Sequence, residues 1–539
     1  MTTLRCCVLG SVRAPRRRAT GAARAMATTN NNNATNNAAY EDVKRILGDA
    51  SRLESLSGLA GWDELVIMPS GEGAAKARGA ALATLAGVIH EMKTSEALGK
   101  ALGDAECHGA KDVANLRLAR DAYAKATRVP NEMVRRMAEV HSRGYQDWVK
   151  ARAASDFSMF APVLKESLEL TKARCALVAP GKDAFDAALD DYERGMTKAR
   201  LNEIFPAVRD AIAPLIRRVY EKNTPPALVG VKNPLEGEFD VDLQAKMSKE
   251  IAIKLGFDMS KGRLDVSVHP FTGGCGPNDV RMTTRYKAND LAEGLTGTIH
   301  ETGHSLYEQG RCEEFIGQPV SEAHSMGVHE SQSLLWERMV ALSKPFSHFL
   351  LRELQATFPA EFDGVSADTL YAAMNTVKNP STIRVESDEL TYPLHIFLRT
   401  ELELGLMDGS IAIDDLPAKW NEKMKAYLGV DITDDAKGVL QDVHWSSGAL
   451  PGYFPTYTLG SMYAVQIYNT AHKQIADLDA KIEKGEFAEL REWLRVNVHV
   501  VGSECESADE LLTRVTGKPL DAQEYIDYLT NKYTELYGL

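Results

Sequence analysis

The chain has 539 residues, of which 44% are hydrophobic and 25% charged. These values are typical of a globular protein that buries a large core. The formal net charge of −13 argues against nucleic acid as a partner, because phosphate groups are bound by basic surfaces. No apolar run approaches the roughly 18 residues of a membrane-spanning helix, so no membrane partner is expected. The seven cysteines form no C-x-x-C pair, which predicts reduced thiols in an intracellular protein rather than a disulfide framework.

Residues 1–39 differ in composition from the rest of the chain. They contain six arginines and no acidic residue, and they include the polar run NNNNATNN at 30–37. This composition predicts a disordered extension and is typical of an organelle transit peptide; the alternative is an extension that targets nothing. We therefore expect a cytoplasmic protein, or a mitochondrial or plastid one if the extension is a transit peptide. Residues 40–539 are expected to form a single helical domain.

Most of this domain has the apolar periodicity of α-helices. Apolar residues recur every three or four positions in the segments 82–92 and 201–212, as expected for one buried helix face. Proline and glycine concentrate at 223–237, 269–278 and 447–455, and we interpret these stretches as loops between helices.

One region breaks the helical pattern. Residues alternate between apolar and polar at 264–271 and again at 279–286, on either side of a Gly/Pro-rich loop. This arrangement predicts a β-hairpin, and STIRV at 381–385 is a third candidate strand. We therefore expect a mainly α protein with a small sheet, close to the helix that contains HETGH at 300–304.

HETGH has the form H-E-x-x-H, with histidines at 300 and 304 and a glutamate at 301. On a helix, positions i and i+4 lie on the same face, so His300 and His304 can bind one metal ion. Glu301 can act as general base on the attacking water. The alternative is a solvated helix face that happens to contain two histidines.

A catalytic zinc ion usually has a third protein ligand. Tyr307 and Gly310 exclude the extended motif that supplies a third histidine close by. The segment 321–339 is predicted to be the next helix, with Ser321 as N-cap. Five of its side chains can serve as ligands, and spacing does not decide among them: Glu322, His324, His329, Glu330 and Glu337.

Further motifs follow one another along the chain. They are WDELVIMP at 62–69, HPF at 269–271, DVRMT at 279–283, HESQSLLWE at 329–337, IRVESD at 383–388, GVLQDVHW at 438–445 and GYFPTYTLG at 452–460. Together with HETGH they resemble the carboxypeptidase Taq family of metallocarboxypeptidases, from about residue 40 to the C-terminus. One departure is Ser387, which stands where the family usually has alanine; this small-for-small change should leave the site intact.

The resemblance implies a site and an activity. It implies His300, His304 and Glu330 as metal ligands and Glu301 as general base, with Zn²⁺ the default metal and Co²⁺ or Mn²⁺ as alternatives. It also implies a large helical metallopeptidase body with a deep substrate groove, like that of neurolysin. The expected activity is removal of single C-terminal residues from peptides with broad specificity, by a homodimer.

A carboxypeptidase must recognise the free C-terminal carboxylate of its substrate, and arginine binds carboxylates with two parallel hydrogen bonds. Arg384 is our candidate for this role and Arg281 is the second choice. The structural alternative is a buried ion pair, with Asp388 or Asp279 as the respective partner.

Other candidates come from the same motifs. His444 and Tyr457 are candidates for stabilising the tetrahedral intermediate, with loop packing as the alternative role; His269 and Tyr453 are weaker candidates. Either Glu386 or Asp388 is a candidate for orienting a metal-bound histidine.

Two rival functions remain open from the sequence. One is an endo-acting oligopeptidase with the same fold. The other is a non-catalytic peptide-binding protein with a structural metal; Glu301 argues against it, because a structural metal needs no general base.

Overall fold

The computed structural model describes residues 37–539, and these residues belong to one compact unit. The predicted N-terminal extension lies outside the described residues except for positions 37–39. The predicted mainly α architecture is confirmed. The α-helices of the described part are α1 (Ala38–Val66), α2 (Glu72–Lys93), α3 (Glu96–Asp104), α4 (Ala110–Arg128), α5 (Asn131–Ala154), α6 (Ala161–Val178), α7 (Ala184–Leu189), α8 (Lys198–Lys222), α9 (Val241–Leu255), α10 (Leu291–Gln309), α11 (Met326–Leu334), α12 (Lys344–Thr357), α13 (Ala367–Met374), α14 (Tyr392–Asp408), α15 (Leu416–Leu428), α16 (Pro455–Gln474), α17 (Leu478–Lys484), α18 (Ala488–Leu494), α19 (Ala508–Thr516) and α20 (Ala522–Tyr537).

Two of the hydrophobic clusters in the described part of the chain each join several helices. The larger draws on residues from α5 to α20 and includes the fully buried Trp336 and Trp420. The smaller joins α1, α3 and α4 around Tyr40 and Leu98. Both apolar segments used for helix prediction are helical: 82–92 lies in α2 and 201–212 in α8. Among the helices of residues 37–539, none has the length and apolar character that crossing a bilayer requires.

The small sheet is present, but its strand pairing differs from the prediction. Its strands are β1 (Gly262–Val266), β2 (Phe271–Gly276) and β3 (Asp279–Thr284), in the order β1-β3-β2. The hairpin partners are β2 and β3, whereas β1 runs parallel to β3. The sequence predicted a loop over 269–278 because TGGCG has the composition of a loop, but this segment forms most of β2. Its glycines instead allow an irregular strand, with Gly274 at φ +126° beside a register shift.

Two other local predictions were wrong. The expected strand 381–385 contains the start of a 3₁₀ turn at Arg384–Glu386, and the Arg384 N–H donates to the side chain of Gln441 (2.9 Å) instead of to a neighbouring strand. The expected helix 321–339 begins later, because Ser325, not Ser321, is the N-cap and accepts from the Val328 N–H (3.0 Å). After α11 the chain continues as a π-helical segment, Leu335–Ala341.

Candidate metal centre

Three potential ligands converge between α10 and α11. In α10 the buried residues Leu291, Leu295 and Ile299 face the core, which places the histidines of HETGH on another side of the helix. Glu330 Oε2 lies 3.3 Å from His304 Nε2 and 3.7 Å from His300 Nε2. Two imidazole nitrogens and one carboxylate oxygen in this arrangement form a donor set that suits Zn²⁺ or a similar divalent cation.

Gly303, the glycine of HETGH, allows the two ligand-bearing helices to approach each other. A Cβ atom at this position would lie 2.6 Å from both Gln332 O and Ser333 Cα. These are backbone atoms of α11, so a side chain could be accommodated only by moving one helix. The glycine therefore determines how closely Glu330 approaches the two histidines.

His300 is oriented by a carboxylate behind it. Its Nδ1–H donates to Glu337 Oε2 (2.7 Å), which leaves the Nε2 lone pair for a metal. Burial lowers the pKa of His300, but Glu330 and Glu337 outweigh burial and raise the pKa to about 9. The surroundings of the imidazole therefore favour positive charge, which a divalent cation would supply.

His304 is oriented by a second imidazole. The Nδ1 atoms of His304 and His329 are 2.6 Å apart, so one proton lies between them, and His329 Nε2 is 2.9 Å from Glu308 Oε1. When the Nε2–H of His329 is donated to Glu308, the Nδ1 atom of His329 is placed to accept the Nδ1–H of His304. His304 Nε2 is then free to bind a metal. Arg311 pairs with Glu308 (2.7 Å) and completes this chain.

The remaining side chains considered as third ligand lie elsewhere. Glu322 forms an ion pair with Arg311, and His324 contacts Arg194 (2.8 Å). In the described residues, the His300, His304 and Glu330 group is the cluster that could hold a metal ion. His329 and Glu337 support these ligands from behind.

Glu301 is buried, with 6% of its surface exposed, and is fixed by the sheet. Thr272 Oγ1, on β2, donates to Glu301 Oε2 (2.6 Å). Sequence reasoning missed Thr272, Glu308 and the supporting role of Glu337. The signal for Thr272 was the predicted closeness of sheet and helix, but the incorrect strand pairing hid it.

A cavity of about 1010 Å³ opens onto the metal centre. His300 and Glu330 line it together with Arg384, Tyr457 and His269. The structure therefore brings the ligand cluster, the candidate carboxylate-binding arginine and one candidate tyrosine to a single cavity.

Arg384 is almost fully buried, and its partner differs from the expected Asp388. Its Nε donates to Asp442 Oδ1 (2.9 Å) and its Nη1 to the Tyr392 hydroxyl (3.1 Å). Asp442 also accepts from Arg399 Nε (2.7 Å), so two arginines share one carboxylate.

Asp388 and Arg281 have structural contacts. The carboxylate of Asp388 accepts the backbone N–H groups of Lys378, Leu390 and Thr391, which explains why it does not pair with Arg384. Arg281 forms the alternative ion pair with Asp279 (2.9 and 3.0 Å), and its guanidinium stacks on Trp62.

His444 contacts Tyr457, which lines the cavity. His444 Nε2 lies 3.2 Å from the Tyr457 hydroxyl, and His444 Nδ1 lies 3.9 Å from Asp442 Oδ1. Burial lowers the pKa of His444 to about 4 and raises the pKa of Tyr457 well above its usual range. At neutral pH the pair is therefore an uncharged imidazole and a phenol that can donate a hydrogen bond. Tyr453 packs against Tyr457, and Glu386 is an exposed residue at the cavity rim.

Known proteins resemble this chain over nearly its whole length. The family model described as carboxypeptidase Taq (M32) metallopeptidase matches residues 42–533. Thermostable carboxypeptidase 1 of Thermus thermophilus is 37% identical, over 94% of this chain and 100% of that protein. Carboxypeptidase 1 of Bacillus subtilis is 38% identical, over 78% of this chain and 83% of the relative. The crystal structure of an M32 carboxypeptidase from Deinococcus radiodurans R1 superposes with a TM-score of 0.89 at 34% identity, over 93% of this chain and 100% of that one.

Proposed function

The chain belongs to the carboxypeptidase Taq (M32) family of metallopeptidases, and we propose that it is a metal-dependent carboxypeptidase that releases single C-terminal residues from peptides with broad specificity. The observation that carries this proposal is the convergence of His300, His304 and Glu330, next to Glu301, at a cavity that also contains Arg384.

The chemistry follows from the positions of these side chains. When bound by the two histidines and Glu330, a divalent cation would polarise the scissile carbonyl and lower the pKa of water. Glu301 takes the proton of the attacking water and delivers it to the nitrogen of the leaving amine. Thr272 keeps the Glu301 carboxylate in place during both transfers. The Tyr457 phenol, paired with His444, donates a hydrogen bond to the developing oxyanion.

Arg384 binds the C-terminal carboxylate of the peptide in this proposal. Its side chain lines the cavity, and Asp442 cannot neutralise both Arg384 and Arg399. This pair of arginines therefore keeps one excess positive charge for a substrate carboxylate.

Zn²⁺ is the proposed metal, with Co²⁺ or Mn²⁺ as alternatives. The support is the donor set of two imidazole nitrogens and one carboxylate, which is common in catalytic zinc sites. Metal analysis of the purified protein, followed by reloading of the chelated protein with each ion, tests this assignment.

Digestion of a peptide ladder followed by mass spectrometry tests the activity. The same peptides are supplied with free and with amidated C-termini, before chelation, after chelation and after reloading with metal. We expect stepwise loss of C-terminal residues from free peptides only, abolished by the chelator and restored by metal. Internal cleavage of amidated peptides would establish an oligopeptidase instead, and metal binding without any hydrolysis would establish a binding protein.

The variant Glu301→Gln tests the general base. It should keep its metal and lose turnover by about 10²- to 10⁴-fold. The exposed Glu314→Gln serves as the matched control, with activity equal to that of the wild type. Retained activity in Glu301→Gln with confirmed metal content would remove Glu301 from this role.

The proposal also covers the oligomeric state of the protein and its location in the cell. We propose a homodimer, by analogy with the family, and light scattering of the full-length protein tests it.

We propose a cytoplasmic location, or an organelle if residues 1–39 are a transit peptide; the unpaired state of the described cysteines supports a reducing compartment. The N-terminal sequence of the protein isolated from its cells distinguishes these locations.

A further inference from the structure

Arg338 is a buried cation in the wall of the substrate cavity that the proposed mechanism does not use. It lies in the π-helical segment after α11, and 7% of its surface is exposed. Its Nη1 donates to Ser461 Oγ (2.9 Å), and its guanidinium stacks on the ring of Tyr392, 5.0 Å from the centroid. No carboxylate in residues 37–539 lies within 4.0 Å of its nitrogens, although Glu337 and Glu389 are close enough to raise the pKa of Arg338.

These two carboxylates make their direct contacts with other side chains. Glu337, its neighbour in the chain, accepts the proton of His300. Glu389 accepts from Lys532 (2.6 Å), and both of those side chains are buried. Since a guanidinium stays protonated in proteins, the charge of Arg338 remains available to a ligand.

Two guanidinium groups at this cavity can each pair directly with a substrate carboxylate. Arg384 shares Asp442 with Arg399, and Arg338 is held by a hydroxyl group and an aromatic ring instead of a carboxylate. The C-terminal carboxylate of a peptide would pair directly with Arg384. A second anionic group on the same terminal residue would pair directly with Arg338.

We propose that Arg338 binds the side-chain carboxylate of a C-terminal glutamate or aspartate, so that acidic terminal residues are preferred over their uncharged isosteres. The inference rests on the proposed carboxypeptidase activity and assigns Arg338 a role in specificity. Leu334 and Ile383 also line the cavity, and these apolar side chains are compatible with the acceptance of other terminal residues.

A matched pair of peptides tests the inference. The two peptides differ only in ending with Glu or Gln, and kcat/KM is measured for each with the metal-loaded, full-length protein. For the wild type we expect the Glu/Gln ratio to be about tenfold or more, because an ionised acceptor strengthens a hydrogen bond to a guanidinium. In Arg338→Gln this ratio should fall to about one or below, chiefly through KM for the Glu peptide, while Arg338→Lys should restore part of it.

Arg285→Met is the matched control. Arg285 lines the same cavity but is paired with Glu293 (2.6 Å between Nε and Oε1), so its removal should leave the Glu/Gln ratio unchanged. A ratio at or below one in the wild type, or an unchanged ratio in Arg338→Gln, would overturn the inference. If Arg338→Gln does not fold, the Glu/Gln ratio of kcat/KM for the wild type alone decides whether the inference holds. Cleavage of the Gln peptide with no preference for Glu removes only the role of Arg338, whereas cleavage of neither peptide removes the proposed activity as well.

Discussion

His300 and His304 each depend on a partner that contributes no ligand atom. Glu337 accepts the Nδ1–H of His300, and His329 with Glu308 does the same for His304. Both imidazoles thereby have the tautomer that presents Nε2 to the cavity side. Partners of this kind raise the basicity of a ligand and keep its ring in position.

Replacement of the partner of His300 should therefore weaken metal binding without removing a ligand. Glu337→Gln is expected to lower metal affinity by about 10- to 100-fold, measured by competition with a chromophoric chelator at constant pH. Glu386→Gln is the control, because Glu386 is an exposed acid in the same cavity and makes no contact with a ligand. Equal affinities in the two variants would contradict the role of Glu337.

The residues of the candidate site that could be predicted from the sequence are those that a motif or a family pattern marks. HETGH placed two candidate ligands on one helix face, and the family pattern selected Glu330 among five side chains as the third candidate. The roles of Thr272, His329 and Glu337 could not be predicted, since each depends on contacts between elements that are far apart in the chain. For the same reason the sequence suggested Asp388 as the partner of Arg384, whereas tertiary packing brings Asp442 to it.

The geometry of the candidate metal centre depends on the contact between helices α10 and α11. Gly303 removes the side chain that would separate the two helices. Glu193 holds the start of α11, since its carboxylate accepts from Ser325 Oγ (2.8 Å), from the Gly327 N–H (3.0 Å) and from Tyr463 (3.0 Å). The sequence predicted that a helix here carries Glu330, but it placed the start at Ser321, because both serines fit the N-cap pattern.

Gly303→Ala tests the contact between the helices. The added Cβ would meet backbone atoms of α11 at 2.6 Å, so we expect a loss of about 1–3 kcal/mol in unfolding free energy together with weaker metal binding. Gly297→Ala is the matched control in the same helix, since its nearest neighbours would lie at 3.6 and 3.9 Å. Urea unfolding of the metal-free proteins and a metal titration measure the two effects. A Gly303→Ala protein as stable as Gly297→Ala, with unchanged metal affinity, would show that the contact is not limiting.

The buried position of Glu193 predicts a dependence of stability on pH. Burial raises the pKa of this carboxyl to about 7, despite the three groups that donate to it. Because the folded state then binds a proton more tightly than the unfolded state, the contribution of Glu193 to stability is full below about pH 4.5. This contribution falls as the pH rises to about 7, by on the order of 3 kcal/mol.

Glu193→Gln carries no titrating group at this position, so its unfolding free energy should decrease less between pH 5 and 7.5 than that of the wild type. The difference between the two curves isolates Glu193 from other buried acids such as Glu403, whose pKa is also raised by burial, to about 7. Parallel curves for the two proteins over this range would contradict the prediction.

Across the whole molecule, the first helix supports the strand that holds the proposed general base. Gly58 of α1 lies against β2, since a Cβ there would be 2.6 Å from Gly274 O. Ser55 Oγ donates to Cys275 O (3.3 Å) in the same strand. Because β2 carries Thr272, which holds Glu301, the start of the described chain is connected to the proposed general base through one helix and one strand.

Asn37 is the N-cap of α1. Its Oδ1 accepts from the backbone N–H groups of Tyr40 (3.0 Å) and Glu106 (3.1 Å), and its Nδ2 donates to Asp104 O (2.8 Å). The contacts at the N-terminus of α1 therefore include a residue before position 40, at which the sequence pattern placed the start of the domain.

Two truncations and one substitution test this boundary. A protein that starts at residue 37 should match the full-length chain in unfolding free energy and in kcat/KM, because Asn37 and its partners remain. A protein that starts at residue 40 loses this N-cap and should be destabilised by about 1–2 kcal/mol. Asn37→Ala in the full-length chain should reproduce this loss, and urea unfolding measures all three. If the start at residue 37 were as destabilising as the start at residue 40, residues before Asn37 would have to contribute to the fold, and the domain would begin earlier than we propose.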